Sequence, residues 1–375
     1  MRQRTAAAAA AATVFGAGSV AVAAGRYACD AALKSSRARP FPGDAPLTVH
    51  STAPGRVTLT RSLASLRPGR YGLTGRDCHA VVGSPVDTAE HSADTVVRRL
   101  ERVTQGTLET GARMWLTPQV HIGDPGSVHG LDHADVDIPG ELGRLPAWFV
   151  PGTRDTWVIT AHGWGTTREH PMVLMPFYDD LQLPQLDVSH RGDLGAPRTQ
   201  DGLSHLGETE WRDLDAAMRY AVRYGAQRLV LHGWSTGATM ALHAVVHSPL
   251  RHLVCGLVLD SPVLDWRATV RALAAAAGIP AVLVPLALRA VQGRTGLHTD
   301  HLAEACDPRL LNVPTLVFHG ADDAVAPWAA SRTLAARREG RVVLHEVDGA
   351  PHAAMWNAGP ARYEEILRRF LTPLL

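Results

Sequence analysis

The sequence predicts an α/β protein in which a mostly parallel central sheet carries helices on both faces, with a smaller β-rich region ahead of it. Three observations lead there. After Gly123, short runs of β-branched and aliphatic residues alternate with stretches of helical spacing. Several of those runs end in glycine-containing loops that open the next helix. Between Arg56 and Pro118, by contrast, only short β-like runs occur, separated by turn signals.

The 375 residues suffice for one large α/β core plus an appendage. The chain begins with Arg2 and Arg4 ahead of an uncharged, alanine-rich stretch from Thr5 to Gly25, whose strongly apolar residues are Val14, Phe15, Val20 and Val22. That length suits a bilayer span, and Ala21-Val22-Ala23 resembles a signal-peptidase site. Residues 1–34 are therefore expected to form a signal peptide or membrane anchor, which implies a membrane-anchored or secreted protein. A low-complexity alanine tract is the alternative. Residues 35–55, rich in Pro, Gly, Ser and Arg, read as a linker. Residues 56–123 read as a β-rich accessory region. Runs such as Val57-Thr58-Leu59-Thr60 and Ala80-Val81-Val82 alternate there with turns at Pro68-Gly69, Gly75-Arg76-Asp77 and Gly83-Ser84-Pro85. Nothing in it looks catalytic.

Residues 124–375 carry the alternating pattern. Val128–Ile138 and Ala147–Val150 read as opening strands, and Thr156–Ala161 as a strand ending in His162-Gly163-Trp164-Gly165. Gln185–Ser189 is the next strand. Glu208–Tyr224 has Trp211, Leu214, Met218 and Ala221 at helical spacing. The strand Arg228–His232 runs into Gly233-Trp234-Ser235-Thr236-Gly237, with a helix at Ala238–His247 and a strand at His252–Leu259 after it. Ala268–Gln292 is helical with a Gly-Ile-Pro break. Pro314–Phe318 and Arg341–Val347 are strands around a helix at Trp328–Arg338, and Arg362–Leu371 is the closing helix. The segment from about 263 to 312 sits where a lid would be inserted. Its apolar helices suit either a cap over an acyl pocket or packing on the sheet.

A GxSxG between a strand and a helix makes Ser235 a candidate nucleophile, because the tight turn lifts the hydroxyl above the sheet. A serine hydroxyl needs a positioned base, and around such a turn the partners follow in the order Ser, acid, His. The acid is expected after the strand Pro314–Phe318. Of the adjacent aspartates there, the Gly-x-x-Asp-x-x-x-Pro pattern selects Asp323, leaving Asp322 as a turn or capping residue. The base is expected after the last strand, where Pro351-His352 lies; His345 inside a strand and His319 beside the acid read as structural. A tetrahedral intermediate also needs two N–H donors. Thr236, directly after the nucleophile, and Trp164, in the glycine loop after Thr156–Ala161, are expected to supply them. The polar loop from His190 to His205 reads as solvated or as a substrate contact.

Composition removes other classes. With 37 Lys+Arg against 36 Asp+Glu, the net charge of +1 gives no reason to expect a nucleic-acid partner. Lys34 is the sole lysine, so Schiff-base and Ser–Lys chemistry have no candidate in the folded domain. Cys29, Cys78, Cys255 and Cys306 show no CxxC spacing, and the histidines form no HExxH set, so no metal or other cofactor is expected. A disulfide between Cys78 and Cys306 stays open.

From about Val128 to Leu375 the chain resembles the α/β-hydrolase superfamily. The resemblance rests on His162-Gly163-Trp164-Gly165, Gly233-Trp234-Ser235-Thr236-Gly237, Leu259-Asp260-Ser261-Pro262, Gly320-Ala321-Asp322-Asp323 and Pro351-His352. Within it the chain is most similar to the prolyl-oligopeptidase-like and serine-aminopeptidase-like branch. The resemblance implies an α/β-hydrolase fold and a serine hydrolase acting on a small ester or short peptide. Ester hydrolysis through an acyl-enzyme is the expected activity, with peptide or amide hydrolysis by the same triad as the alternative. A non-catalytic, membrane-tethered binding protein on the same fold is the third reading. The fold hosts many substrates, so these motifs do not name one.

Overall fold

A computed structural model describes residues 19–34, 41–86, 92–297, 299–305, 307 and 309–375. Most of the Thr5–Gly25 stretch, with Arg2 and Arg4, lies outside them.

The first described element, α1 (residues 19–33), is helical. Its Ala28, Cys29, Ala32 and Leu33 recur at helical spacing and are buried. They pack in one cluster with Trp266, Val270, Ala287 and Val291. Arg294 bonds Asp30 across this contact. The latter half of the expected signal or anchor is thus an amphipathic helix seated on an apolar surface of the same chain. No helix among the described residues is long and apolar enough to cross a membrane.

A six-stranded barrel follows: β1 (Leu47–Ala53), β2 (Arg56–Thr60), β3 (Tyr71–Thr74), β4 (His79–Pro85), β5 (Thr95–Gln105) and β6 (Arg113–Thr117). It closes in the order β1-β2-β5-β4-β3-β6. Closure leaves no free edge strand, and the inward positions fill the interior with Leu47, Val49, Val57, Leu59, Leu73, Val82 and Leu116. The strand β1 lies inside the expected linker 35–55, because Leu47 and Val49 alternate inward despite the prolines before them. A short helix, α2 (Leu63–Leu66), rests on the barrel, capped by Ser62 and Ser65. Beneath it Arg98 is fully buried and donates to the carbonyls of Ser65, Arg67 and Gly69 at 2.7–3.0 Å. Burial lowers its pKa to about 10. Cys78 is a free thiol, and its candidate partner Cys306 lies outside the described residues.

The remainder is an eight-stranded mixed sheet. A short helix, α3 (Pro125–His129), replaces the start of the predicted strand Val128–Ile138. Asp124 caps it by accepting from the Ser127 N–H, and Pro125 fits its first turn, so the strand begins only at Ala134. The strands are β7 (Ala134–Pro139), β8 (Arg144–Val150), β9 (Thr156–Ala161), β10 (Gln185–Val188), β11 (Arg228–Trp234), β12 (Val254–Asp260), β13 (Thr315–His319) and β14 (Val342–Glu346). Their order is β14-β13-β12-β11-β9-β10-β8-β7. All pairs from β10 to β14 are parallel, while β8 runs antiparallel to β7 and β10.

Alternation along the strands serves both faces. Ile159, Leu231 and Leu259 face a core built with α5 (Trp211–Arg223) and α6 (Thr236–His247). Val158, Val230 and Val258 face the other, with α4 (Met175–Asp180) and α12 (Pro360–Leu371). Burial on both sides is why these strands read as near-continuous apolar runs. Between β12 and β13 the chain forms α7 (Trp266–Ala276), α8 (Val284–Thr295) and α9 (Thr299–Ala305). The helices α7 and α8 pack with α1, Leu203 and Trp164 in a cluster of their own, apart from both sheet faces. The helices α10 (Trp328–Arg337) and α11 (Met355–Ala358) complete the set.

The seating of α1 yields the first prediction. Ala32→Asp puts an unpaired charge into a contact that is 1% exposed and is expected to cost about 2–4 kcal/mol. Val20→Asp, at a position 69% exposed, is expected to stay within about 0.5 kcal/mol of the parent. Denaturant titration of the two variants checks this.

Candidate active site

Ser235 stands at the junction of β11 and α6 with φ 52° and ψ −115°, in a backbone region that L-residues rarely adopt. Two glycines permit this turn. A Cβ on Gly237 would come within 2.1 Å of the Ala161 carbonyl oxygen, and one on Gly163 within 2.7 Å of the Ser235 Cβ. The loop after β9 and the serine turn are therefore in direct contact. The Ser235 N–H donates to the Asp260 carbonyl at the end of the neighbouring strand, at 2.8 Å.

The Ser235 Oγ lies 2.6 Å from His352 Nε2. His352 Nδ1 lies 2.7 Å from Asp323 Oδ2, to which it donates. The other carboxylate oxygen, Oδ1, accepts from the N–H groups of Val325 and Ala326, each at 2.8 Å. His319 Nε2 sits 3.2 Å from Oδ2 while its Nδ1 meets Ser331 Oγ at 2.7 Å. Burial alone would raise the Asp323 carboxyl, but His352 and His319 hold it well below the usual carboxylate range. The chain after His352 turns through Ala353 at φ 54°, whose N–H donates to Ser261 Oγ at 2.9 Å.

The structure thus brings Ser235, His352 and Asp323 into one bonded chain and leaves Asp322 exposed. Another carboxylate, Asp260, is buried beside Ser261 and has no bond to His352. Burial holds it well above the usual carboxylate range. His345 lies on β14, away from this chain.

Trp164 and Thr236 line one cavity of about 380 Å³ together with His162, Arg198, Leu203 and Lys34. Thr236 is the first residue of α6, so its N–H has no carbonyl one turn earlier to bond. The Trp164 indole N–H donates to the Leu33 carbonyl at 3.2 Å, tying the glycine loop to the end of α1. The polar loop His190–His205 supplies much of this wall, including Arg191, Gly192, Thr199 and Ser204.

Sequence reasoning missed the groups that hold the glycine loop. His162 Nδ1 donates to the Gly163 carbonyl at 3.0 Å, and Nε2 lies 2.7 Å from Asp193 Oδ2. His190 stacks on His162 with ring centroids 4.3 Å apart, and its backbone N–H donates to the same carboxylate at 2.8 Å. Ligand atoms of these three residues lie within 4.8 Å of one another, close enough to share a cation. As they stand, the bonds run between them. Burial alone would raise Asp193, but His162 and His190 bring it down to about 2.

Residues 186–371 match the prolyl oligopeptidase family. Residues 48–117, the barrel, match a domain of unknown function, DUF8805. No curated protein matches the chain. Among solved structures the chain is similar to an esterase of Pyrococcus furiosus, at 20% identity over 68% of this chain and 95% of that one, with a TM-score of 0.56. It is also similar to an alpha-beta hydrolase of Vibrio vulnificus, at 18% identity over 67% and 88% of the two chains, with a TM-score of 0.51. Likeness at this level establishes the fold. Together with the family match, it makes the chain a serine hydrolase of the α/β-hydrolase superfamily.

The Asp193 environment gives the second prediction. Its folded pKa of about 2 lies below the unfolded value of 3.8, so the pair stabilises the fold above the unfolded pKa and the gain fades as pH falls toward 2. The contribution is about 2 kcal/mol. Unfolding free energy measured between about pH 5 and pH 3 is expected to fall less steeply in Asp193→Asn than in the parent.

Proposed function

We propose that this α/β-hydrolase cleaves a carboxylic ester through an acyl-enzyme on Ser235. The observation that carries the reading is the unbroken chain of bonds from Ser235 Oγ through His352 to Asp323. His352 takes the Ser235 proton as Oγ bonds to the ester carbonyl carbon. The carbonyl oxygen becomes an oxyanion that accepts from the backbone N–H groups of Trp164 and Thr236. Collapse breaks the bond to the alcohol oxygen, and His352 gives that oxygen its proton. Water then loses a proton to His352 and attacks the acyl carbon, which releases the acid and restores Ser235. Asp323 holds the His352 ring in register and stabilises its cation, itself kept ionised by the two N–H donors and His319.

An ester is favoured over the amino-terminal residue of a peptide by the carboxylates around the cavity. Glu210 accepts from the N–H groups of His205, Gly207 and Thr209. Asp193 is held by His162, and Asp201 by His205 and the Leu203 N–H. Each is thus committed within the protein, and none of the three is left to take an α-ammonium group. The region before the sheet is a barrel of six strands, too small for the propeller expected of a peptidase of the prolyl oligopeptidase kind.

For location, the basic start and apolar stretch before residue 25 support export or membrane attachment. The packing of Ala28 to Leu33 on α7 and α8 supports a mature chain that keeps α1. Mass spectrometry of the mature N-terminus is expected to find these residues present.

Activity on a panel of p-nitrophenyl esters and aminoacyl anilides tests the reaction. Short esters are expected to turn over, anilides to lag, and Ser235→Ala to abolish both. Turnover of anilides without esters would establish the peptidase reading instead. Asp323→Asn is expected to lower kcat by about 10⁴-fold, and Asp322→Asn by less than about two-fold. The reverse ranking would move the acid to Asp322.

A further inference from the structure

A second cleft, of about 450 Å³, opens on the His352 side of the site and shares no lining residue with the cavity at Trp164 and Thr236. One of its walls is the loop Ala350-Pro351-His352, and the other belongs to the barrel and the residues before it. Phe41, Pro42, Leu63, Leu66, Pro68 and Val325 give it an apolar lining. Leu63 is 89% exposed, the highest value of any large apolar side chain among the described residues, and Leu66 is 38% exposed. A single surface leucine calls for no explanation, but two on one short helix lining the cleft that holds the active-site imidazole do.

This wall is rigid. Arg98 pins the backbone of residues 65–69 from below with three hydrogen bonds. Arg67 forks onto Asp44 and fixes the Phe41–Asp44 side. The barrel is also clamped to the residues that follow His352. The Arg70 N–H donates to the Asn357 carbonyl at 2.8 Å, and Asn357 Nδ2 donates back to the carbonyls of Arg70 and Pro118. Ala354, two residues beyond His352, completes the barrel's own core. A side chain at Gly349, just before the Pro351-His352 turn, would come within 3.5 Å of the Pro68 ring. The distance between the exposed leucines and the imidazole is therefore set by the fold.

We propose that the barrel forms the leaving-group subsite, and that the enzyme prefers esters of bulky apolar alcohols. This rests on the ester reading above. The reason is positional: His352 must hand its proton to the departing alcohol oxygen, so the alcohol lies on the His352 side, against Leu63 and Leu66. A bare leucine face in that position is complementary to a ring or branched hydrocarbon and offers nothing to a small alcohol.

The test compares 2-naphthyl acetate with ethyl acetate, which share an acyl group, in the full chain. Leu63→Asp and Leu66→Ala are expected to lower the ratio of kcat/KM for the naphthyl over the ethyl ester by about ten-fold or more, mainly through KM. Leu142→Asp, on the distant β7–β8 turn and 43% exposed, is expected to leave the ratio unchanged. A fluorophosphonate probe expels only fluoride, so its rate of labelling Ser235 reports the triad without the subsite and is expected to match the parent in every variant. An unchanged ratio in Leu63→Asp and Leu66→Ala, or a loss that tracks acyl length instead, overturns the subsite while normal labelling upholds the hydrolase. If the parent is neither labelled nor active on either ester, both readings fall together.

Discussion

The turn at Ser235 is held by close approach of three backbones. Its positive φ costs on the order of 1–3 kcal/mol, and such a conformation persists only where the surroundings over-determine it. Here β11 is bonded on both sides, to β9 and β12, so the strand that delivers the serine has no freedom to relax. The Gly237 Cα lies against the Ala161 carbonyl and Gly163 lies against Ser235 itself, so a side chain at either would push the two loops apart. The position of the loop carrying Trp164 follows from that contact. His162, Asp193 and His190 then lock the loop from behind, and the Trp164 indole ties it to α1.

The other half of the site is fixed from a different direction. His352 sits on a turn whose backbone is bonded to Ser261, at the end of β12, while the residues beyond it complete the barrel. The barrel therefore helps to fix the position of the His352 turn. The acid is placed by a third set of contacts: two backbone N–H donors on one oxygen, and His319 and His352 on the other. This satisfies a buried carboxylate on every side, the condition under which it stays ionised away from water.

What could be read from the sequence was what local chemistry dictates. Gly233, Ser235 and Gly237 are spaced for a tight turn in which glycine flanks the serine, and Asp323 and His352 each follow a short run of strand character. The strands themselves were legible because burial on both faces leaves them few polar residues. Missed features depend on tertiary partners. Ala28, Ala32 and Leu33 form a helical stripe, but alanine hides it inside a tract that also suits an anchor, and only α7 and α8 reveal what it covers. The strand β1 hides among prolines and glycines because its partners, β2 and β6, lie later in the chain. The pairing of His162 with Asp193 spans 31 residues and two loops, and no spacing announces it. His319 was passed over because a histidine beside the acid reads as structural, whereas it lies against the carboxylate itself.

The central claim is that Ser235 is the nucleophile that His352 activates. Peptide mapping by mass spectrometry after treatment with a fluorophosphonate tests it most directly. The account predicts one adduct, on Ser235, and its strong slowing in His352→Ala. An adduct on another residue, or labelling of Ser235 at an undiminished rate without His352, would contradict it.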